Sequence, residues 1–223
     1  MVDIVYSCGS FAVCIKPRGL VSQGSEKSAV TLLEEQTGSP VYPVHRLDRE
    51  TEGLMVFALS QKAAAKLSAA IQQGAFSKEY LAVIKGRPES SSGIYEDLLL
   101  RDKLKNKTYV VSRKRAGVKE AKLEYTLLEE KEGLSLCRIK LRTGRTHQIR
   151  VQFASRGTPL YGDGKYGGGS GDLALYAFSL SFPDPETGKR VNFVSSPCVN
   201  NSPWSLFSGE IENINADKTE DNI

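Results

Sequence analysis

The stretch KEAKLEYTLLEEKEGLSLCRIKLR, residues 119–142, decides how this chain folds. Its first half alternates apolar and polar residues and puts Ala121, Leu123, Tyr125 and Leu127 on one face, the period of a half-buried strand. Lys131, Glu132 and Gly133 interrupt that run, and a second strand-like segment follows over residues 134–142. Two strands joined by so short a turn pair as an antiparallel hairpin.

Working outward, residues 2–8 and 11–16 read as short strands around a Gly9-Ser10 turn, and residues 53–59 as a buried strand. Further strands are expected at 80–85, 173–182 and 190–194. A helix is expected over 25–36, with Gly38 as its stop. Ser60 offers an N-cap for QKAAAKLSAAIQQ, with Gly74 behind it, and Thr146 a cap for a helix through Ala154 that Gly157 closes. This order is not a regular alternation of strand and helix, which excludes a doubly wound parallel sheet. The expected fold is α+β: a mixed, mostly antiparallel central sheet with flanking helices. One domain over residues 1–208 accounts for it, and the acidic segment 209–223 is expected to fray.

Composition narrows the classes. The 223 residues are 40% hydrophobic and 25% charged, ordinary for a globular chain with a core. No run approaches the roughly 18 apolar residues of a membrane span, and the N-terminal segment lacks the features of a signal peptide. Cys8, Cys14, Cys137 and Cys198 have no CxxC spacing, which suits reduced thiols in the cytoplasm. Two histidines outside any ligand pattern give no metal site. Charge is more informative in its distribution than in its total of +4: residues 101–122 hold nine basic and two acidic residues. Residues 142–165 hold five basic residues against Asp163. Such clusters suit a polyanion, although a solvated face is the commoner cause.

Three places could carry chemistry. Asp48 lies in HRLDRETEGLMVFA, between Arg46 and Arg49 and just ahead of a buried strand. An ordinary loop Asp caps a turn; one among arginines at a sheet end is held charged and oriented. GRTHQIR, residues 144–150, is no phosphate-binding loop, for it lacks GxxxxGK[ST]. It reads as a helix start, and Arg150 at the edge of its core needs a carboxylate partner. Tyr80, in FSKEYLAVIKG, has nothing local to set it apart from a core tyrosine.

Together these segments are specific. CIKPRGLV, HRLDRETEGLMVFA, FSKEYLAVIKG, TGRTHQIRVQFASRGTPLYGDGKYGG and LALYAFSLSFPDPETGKRVNF occur in the order seen in RluA-type RNA pseudouridine synthases, over about residues 11–200. The resemblance implies a catalytic cleft across a largely antiparallel sheet, and an isomerisation of uridine to pseudouridine that needs no cofactor and no metal. It implies that Asp48 is the essential carboxylate, that Arg150 pairs with it, and that Tyr80 stacks on the target base. Arg46 resembles the arginine that fills the space of the flipped base or contacts its neighbours. Arg145, Lys165, Arg113, Lys114 and Arg115 are expected phosphate contacts by charge and region. His45 and His147 are expected to be structural.

Two positions depart from the family: Glu52, where serine is common, and Tyr176, where histidine is common. With KPRGL beginning at Lys16, no room is expected for a separate N-terminal RNA-binding domain. A monomer acting on a stem-loop of ribosomal or transfer RNA, and not on DNA, is the expected form. The rival reading is an RNA-binding or RNA-folding module without essential catalysis, for which Asp48 would have no use.

Overall fold

The computed structural model describes residues 1–219. The chain packs as two compact units. The first takes residues 1–78, 176–197 and the segment from Asn213; the second takes 79–175 and 198–212. The sequence expectation is one catalytic domain over 1–208, and pattern along a chain says nothing of how its segments are shared between such units.

In the first unit, β1 (Asp3–Ser7) and β2 (Phe11–Lys16) form the expected antiparallel pair. β4 (Glu52–Ala58) lies against β2, Phe11 opposite Ala58 and Lys16 opposite Gly53. The two-residue β3 (Tyr42–Pro43) pairs with the far end of β4. β10 (Leu175–Pro183) meets β4 in parallel, through Tyr176 with Glu52 and Ala177 with Gly53, and β11 (Arg190–Val194) runs antiparallel to β10. Helix α1 (Ala29–Thr37) starts four residues later than expected, because Ser28 caps it and exchanges bonds with Thr31. Helix α2 (Gln61–Gln72) has the expected Ser60 cap on the Ala63 N–H, and Gly74 behind it is left-handed. Its Ala63 and Leu67 meet Phe11, Val13, Leu54, Val56 and Phe182 in one buried cluster. Each such large side chain contributes about 1.5–3 kcal/mol.

The second unit is a sheet in the order β5-β9-β8-β6-β7, antiparallel throughout its described pairings. These are β5 (Ser77–Lys85), β6 (Ser92–Asp102), β7 (Lys107–Val111), β8 (Val118–Lys131) and β9 (Leu134–Leu141). The β8–β9 hairpin turns at Glu132 and Gly133, both at positive φ (53° and 72°), which is the twist-compatible two-residue turn. The register slips between Leu127 and Glu129, so Leu128 is the extra residue that breaks the alternation. The β6–β7 hairpin escapes a reading by period, because lysines and arginines occupy so much of residues 101–115.

Two expectations are corrected. Thr146 does not cap the next helix: α3 (Gln148–Ala154) has His147 at its N-cap, in the left-handed region and without a side-chain cap bond. Gln148 folds back instead, its Oε1 accepting from the Arg145 N–H and the Thr143 hydroxyl. Nor does the C-terminal segment fray from Gly209. A 3-10 turn (Trp204–Phe207) leads into helix α4 (Ser208–Thr219), and Ile211 and Ile214 are buried. Two apolar anchors a turn apart suffice in a segment that is otherwise polar; the last residues of the expected tail, 220–223, lie outside the described residues. No helix among the described residues is long and apolar enough to cross a membrane.

Candidate active site

Asp48 occupies the first position of a turn closed by the Thr51 N–H on its carbonyl. Both of its neighbours are pinned. Leu47, which is buried, donates its N–H to Ser22 Oγ at 3.1 Å and accepts from the same hydroxyl at 2.9 Å. The Arg49 carbonyl accepts the Gly19 N–H at 2.9 Å, and Arg49 Nε donates to the Gly19 carbonyl at 3.0 Å. The same Arg49 carbonyl receives the Lys16 ammonium at 3.2 Å.

Lys16 is fully buried, and its Nζ also donates to the carbonyls of Pro17 and Leu20, both at 2.8 Å. Three N–H groups thus meet three carbonyls, the full donor capacity of an ammonium. Burial lowers its pKa to about 8, against the opposing pull of Glu52, Glu50 and Asp48. Lys16 therefore fastens the KPRGL segment to the Asp48 loop. Immediately after the loop, Gly53 sits at φ 118°, where an added Cβ would lie 2.4 Å from the Ala177 carbonyl oxygen. Only glycine permits the β4–β10 approach there. His45, ahead of the loop, accepts the Val56 N–H on Nε2 at 3.1 Å and packs against Phe76. Burial, aided by the Lys78 cation, lowers its pKa to about 3, so it is neutral and structural.

Arg150, in the second unit, has the carboxylate that a buried arginine requires. Its Nε and Nη2 donate to the two oxygens of Asp163, each at 2.7 Å. The side chains are 6% and 0% exposed. Asp163 Oδ1 also accepts the Lys165 N–H, and the Tyr166 ring faces the guanidinium at 5.3 Å. The Tyr166 hydroxyl lies 3.0 Å from His147 Nδ1 and accepts the Thr108 N–H at 2.8 Å. Asp163 and Tyr166 both lie in the quoted YGDGKYGG, but no spacing rule tied that loop to Arg150. Tyr80 is buried at 6% exposure in β5, opposite Ile139 of β9.

The expected phosphate contacts separate into two groups. Lys114, Arg115 and Arg145 line one open groove with Lys119, Glu120, Leu98 and Val118, a hollow of about 580 Å³. Arg113 is exposed beside Lys114. Lys119 is the cation that the sequence reading missed; it belongs to β8 and only the pairing with β6 brings it here. Within the groove Lys114 donates to Glu120 Oε1 and Arg145 Nε to the Glu120 carbonyl, whereas Lys165 lies outside that lining and its ammonium donates to the Asn106 carbonyl at 2.9 Å. Arg46, in the Asp48 loop, is exposed.

Residues 10–155 match the family described as RNA pseudouridylate synthase. The chain belongs to that family. An uncharacterized RNA pseudouridine synthase of Mycoplasma pneumoniae is 31% identical over 96% of this chain and 71% of its own length. The ribosomal large subunit pseudouridine synthase C of Pasteurella multocida is 30% identical over 87% of this chain and 65% of its own. A Mycobacterium bovis relative, also an uncharacterized RNA pseudouridine synthase, is matched over 51% of its length, so this chain is the shorter of the two. Among solved structures, human RNA pseudouridylate synthase domain containing 1 superposes with a TM-score of 0.76 at 22% identity, over 94% of both chains. Its domain containing 4 counterpart gives 0.75 at 21%. At that identity the two structures establish the α+β fold alone.

As an RNA pseudouridylate synthase, the chain belongs to a family of isomerases acting on RNA, and its two departures have local partners. Glu52 faces Arg18, of the KPRGL segment, at 4.0 Å. Its negative charge is thus offset beside the Asp48 loop. Tyr176 is buried, and its hydroxyl shares a 2.8 Å bond with Ser195. Burial pushes its pKa up to about 12, so it is a neutral phenol.

Proposed function

We propose that this chain converts specific uridines of ribosomal or transfer RNA to pseudouridine, with Asp48 as the catalytic carboxylate. The N1–C1′ bond of the uridine breaks, the uracil turns, and a C5–C1′ bond forms as the C5 proton leaves and N1 gains one. Nothing enters or leaves the product, so the chemistry calls for no cofactor. The observation that carries this reading is the Asp48 loop: Ser22, Gly19 and Lys16 hold its backbone on both sides, which is how a scaffold presents one side chain to a substrate.

Tyr80 is the ring that meets the target base, and Arg150 the cation that serves the reaction. Stacking worth about 1–3 kcal/mol helps offset the few kcal/mol spent on flipping a nucleotide out of its stack. Arg46 takes the space or the neighbours of the flipped base, and Lys114, Arg115, Arg113, Arg145 and Lys165 meet phosphates. The large-subunit name of the Pasteurella relative makes ribosomal RNA the first substrate to examine. The setting we infer is the cytoplasm, with one copy of a catalytic domain over residues 1–208 working on a stem-loop.

Pseudouridine mapping of total RNA from cells lacking the gene, rescued with wild type or Asp48→Asn, tests the proposal. We expect a site that disappears on deletion and returns only with wild type. Restoration by Asp48→Asn would instead favour the binding-module reading. Tyr80→Ala should lose more in turnover than in RNA affinity, and equal losses would reduce it to a contact residue.

A further inference from the structure

Tyr166 stands where several stretches of the second unit converge. Its hydroxyl accepts the backbone N–H of Thr108, from a strand 58 residues earlier, and touches Nδ1 of His147 at the N-cap of α3. Its ring faces the Arg150 guanidinium at 5.3 Å and the Lys107 ammonium at 5.1 Å. Two more bonds bring the same hairpin to the same place. Thr108 Oγ1 donates to the Thr146 carbonyl, and Lys165 Nζ to the Asn106 carbonyl, each at 2.9 Å.

β7 closes the strand order of this unit, where an outer strand ordinarily leaves its outward N–H groups to water. Here one of them is given to a phenol. The hydroxyl accepts from Thr108 and shares a bond with Nδ1 of His147, so it is held in two directions and the ring plane is set. Burial raises the Tyr166 pKa, which keeps the phenol neutral. Asp163 grips the Nε–Nη2 edge of the guanidinium. The ring defines what lies against its face. Packing alone does not account for this arrangement, because phenylalanine would fill the same space without reaching Thr108. The hairpin itself bears Lys103, Lys105 and Lys107 around an exposed Leu104, a set suited to a phosphate backbone.

We propose that Tyr166 is a positioning residue that couples the seating of the β6–β7 hairpin to the orientation of Arg150, so that RNA held along the hairpin sets the arginine for reaction. The inference rests on the reading of Arg150 as part of the reaction machinery. Tyr166→Phe keeps the ring and removes both hydroxyl bonds; Tyr166→Leu removes the ring as well. Each is compared with wild type by single-turnover pseudouridine formation on an unmodified large-subunit ribosomal RNA transcript and on total RNA from gene-deleted cells. Affinity for the same RNA, thermal midpoint, and solvent exchange of the Arg150 Nε–H by NMR without RNA complete the set.

For Tyr166→Phe we expect a rate at least about tenfold lower with affinity within about twofold, and faster Nε–H exchange at a near-native thermal midpoint. Tyr166→Leu should deepen the same pattern. A rate and an exchange both unchanged in Tyr166→Phe overturn the coupling, as does a rate loss that merely follows thermal stability and recovers on cooling. If wild type modifies neither RNA, the functional reading fails, and the exchange measurement alone decides the positioning: unchanged exchange overturns it and faster exchange supports it.

Discussion

Arg150 and Asp163 form a two-bonded fork inside the second unit, Nε to Oδ2 and Nη2 to Oδ1, each at 2.7 Å. Such a pair is geometrically demanding, and removal of one member strands a buried charge. Asp163→Ala should therefore destabilise the fold by about 3–5 kcal/mol in urea unfolding. Arg150→Lys should also lose stability, since one ammonium cannot span the fork. An Arg150→Met, Asp163→Leu double variant should regain most of the stability while remaining inactive. That contrast separates the structural part of the pair from its part in the reaction.

Gly53→Ala should cost about 3 kcal/mol or more in thermal or urea unfolding, from left-handed strain plus contact with the Ala177 backbone. The clash is with backbone, so no side-chain rotation relieves it. Because β4 begins directly behind the Asp48 loop, activity should fall more than the stability loss alone explains.

His45 makes the fold acid-sensitive. Its native pKa of about 3 lies below its ordinary 6.5, so between these values the unfolded chain binds the extra proton. Its contribution is fully present above about pH 6.5 and is lost as pH falls toward 3. A His45→Gln variant, whose amide oxygen can still accept the Val56 N–H, should show a flatter decline of unfolding free energy over that window. An equal slope in both proteins would remove His45 from the account.

Lys16 acts in the opposite range and separates activity from stability. As pH rises through about 8 it loses a proton, and a neutral amine has two N–H groups for three carbonyls. Turnover should fall with a midpoint near pH 8 as the grip on the Asp48 loop loosens. Unfolding free energy should not fall with it. The unfolded chain holds this proton up to about 10.5, so linkage through Lys16 makes stability rise between 8 and 10.5. Lys16→Arg, which keeps its charge throughout, should lack the alkaline limb if it folds; a limb at the same midpoint in that variant would assign it to another group.

Much of the fold is written locally. The alternation of Ala121, Leu123, Tyr125 and Leu127, the Glu132-Gly133 turn, the buried run of β4 and the Ser60 cap were each legible, because a period or a cap lies within one element. Where non-local partners compete, reading failed. Thr146 has the chemistry of a cap, but Gln148 took over the turn by reaching back to Arg145 and Thr143 and donating to the Lys122 carbonyl. The segment after Gly209 has little apolar character, and two isoleucines finding a buried surface made it helical. β7 was hidden by the cations that decorate it.

The candidate site divides along the same line. The chain alone determined the family, through motifs whose residue types and order the reaction demands, and with it the candidates Asp48, Tyr80 and Arg150. It also determined that Arg150 must have a carboxylate, since desolvation of a lone guanidinium is prohibitive whatever the fold. Tertiary structure decided that Asp163 supplies one, that Lys16 and Ser22 hold the Asp48 loop, and that Tyr166 receives an amide from a strand 58 residues away. Charge and period are properties of a segment, whereas a hydrogen-bond partner is a property of the space into which distant segments are packed.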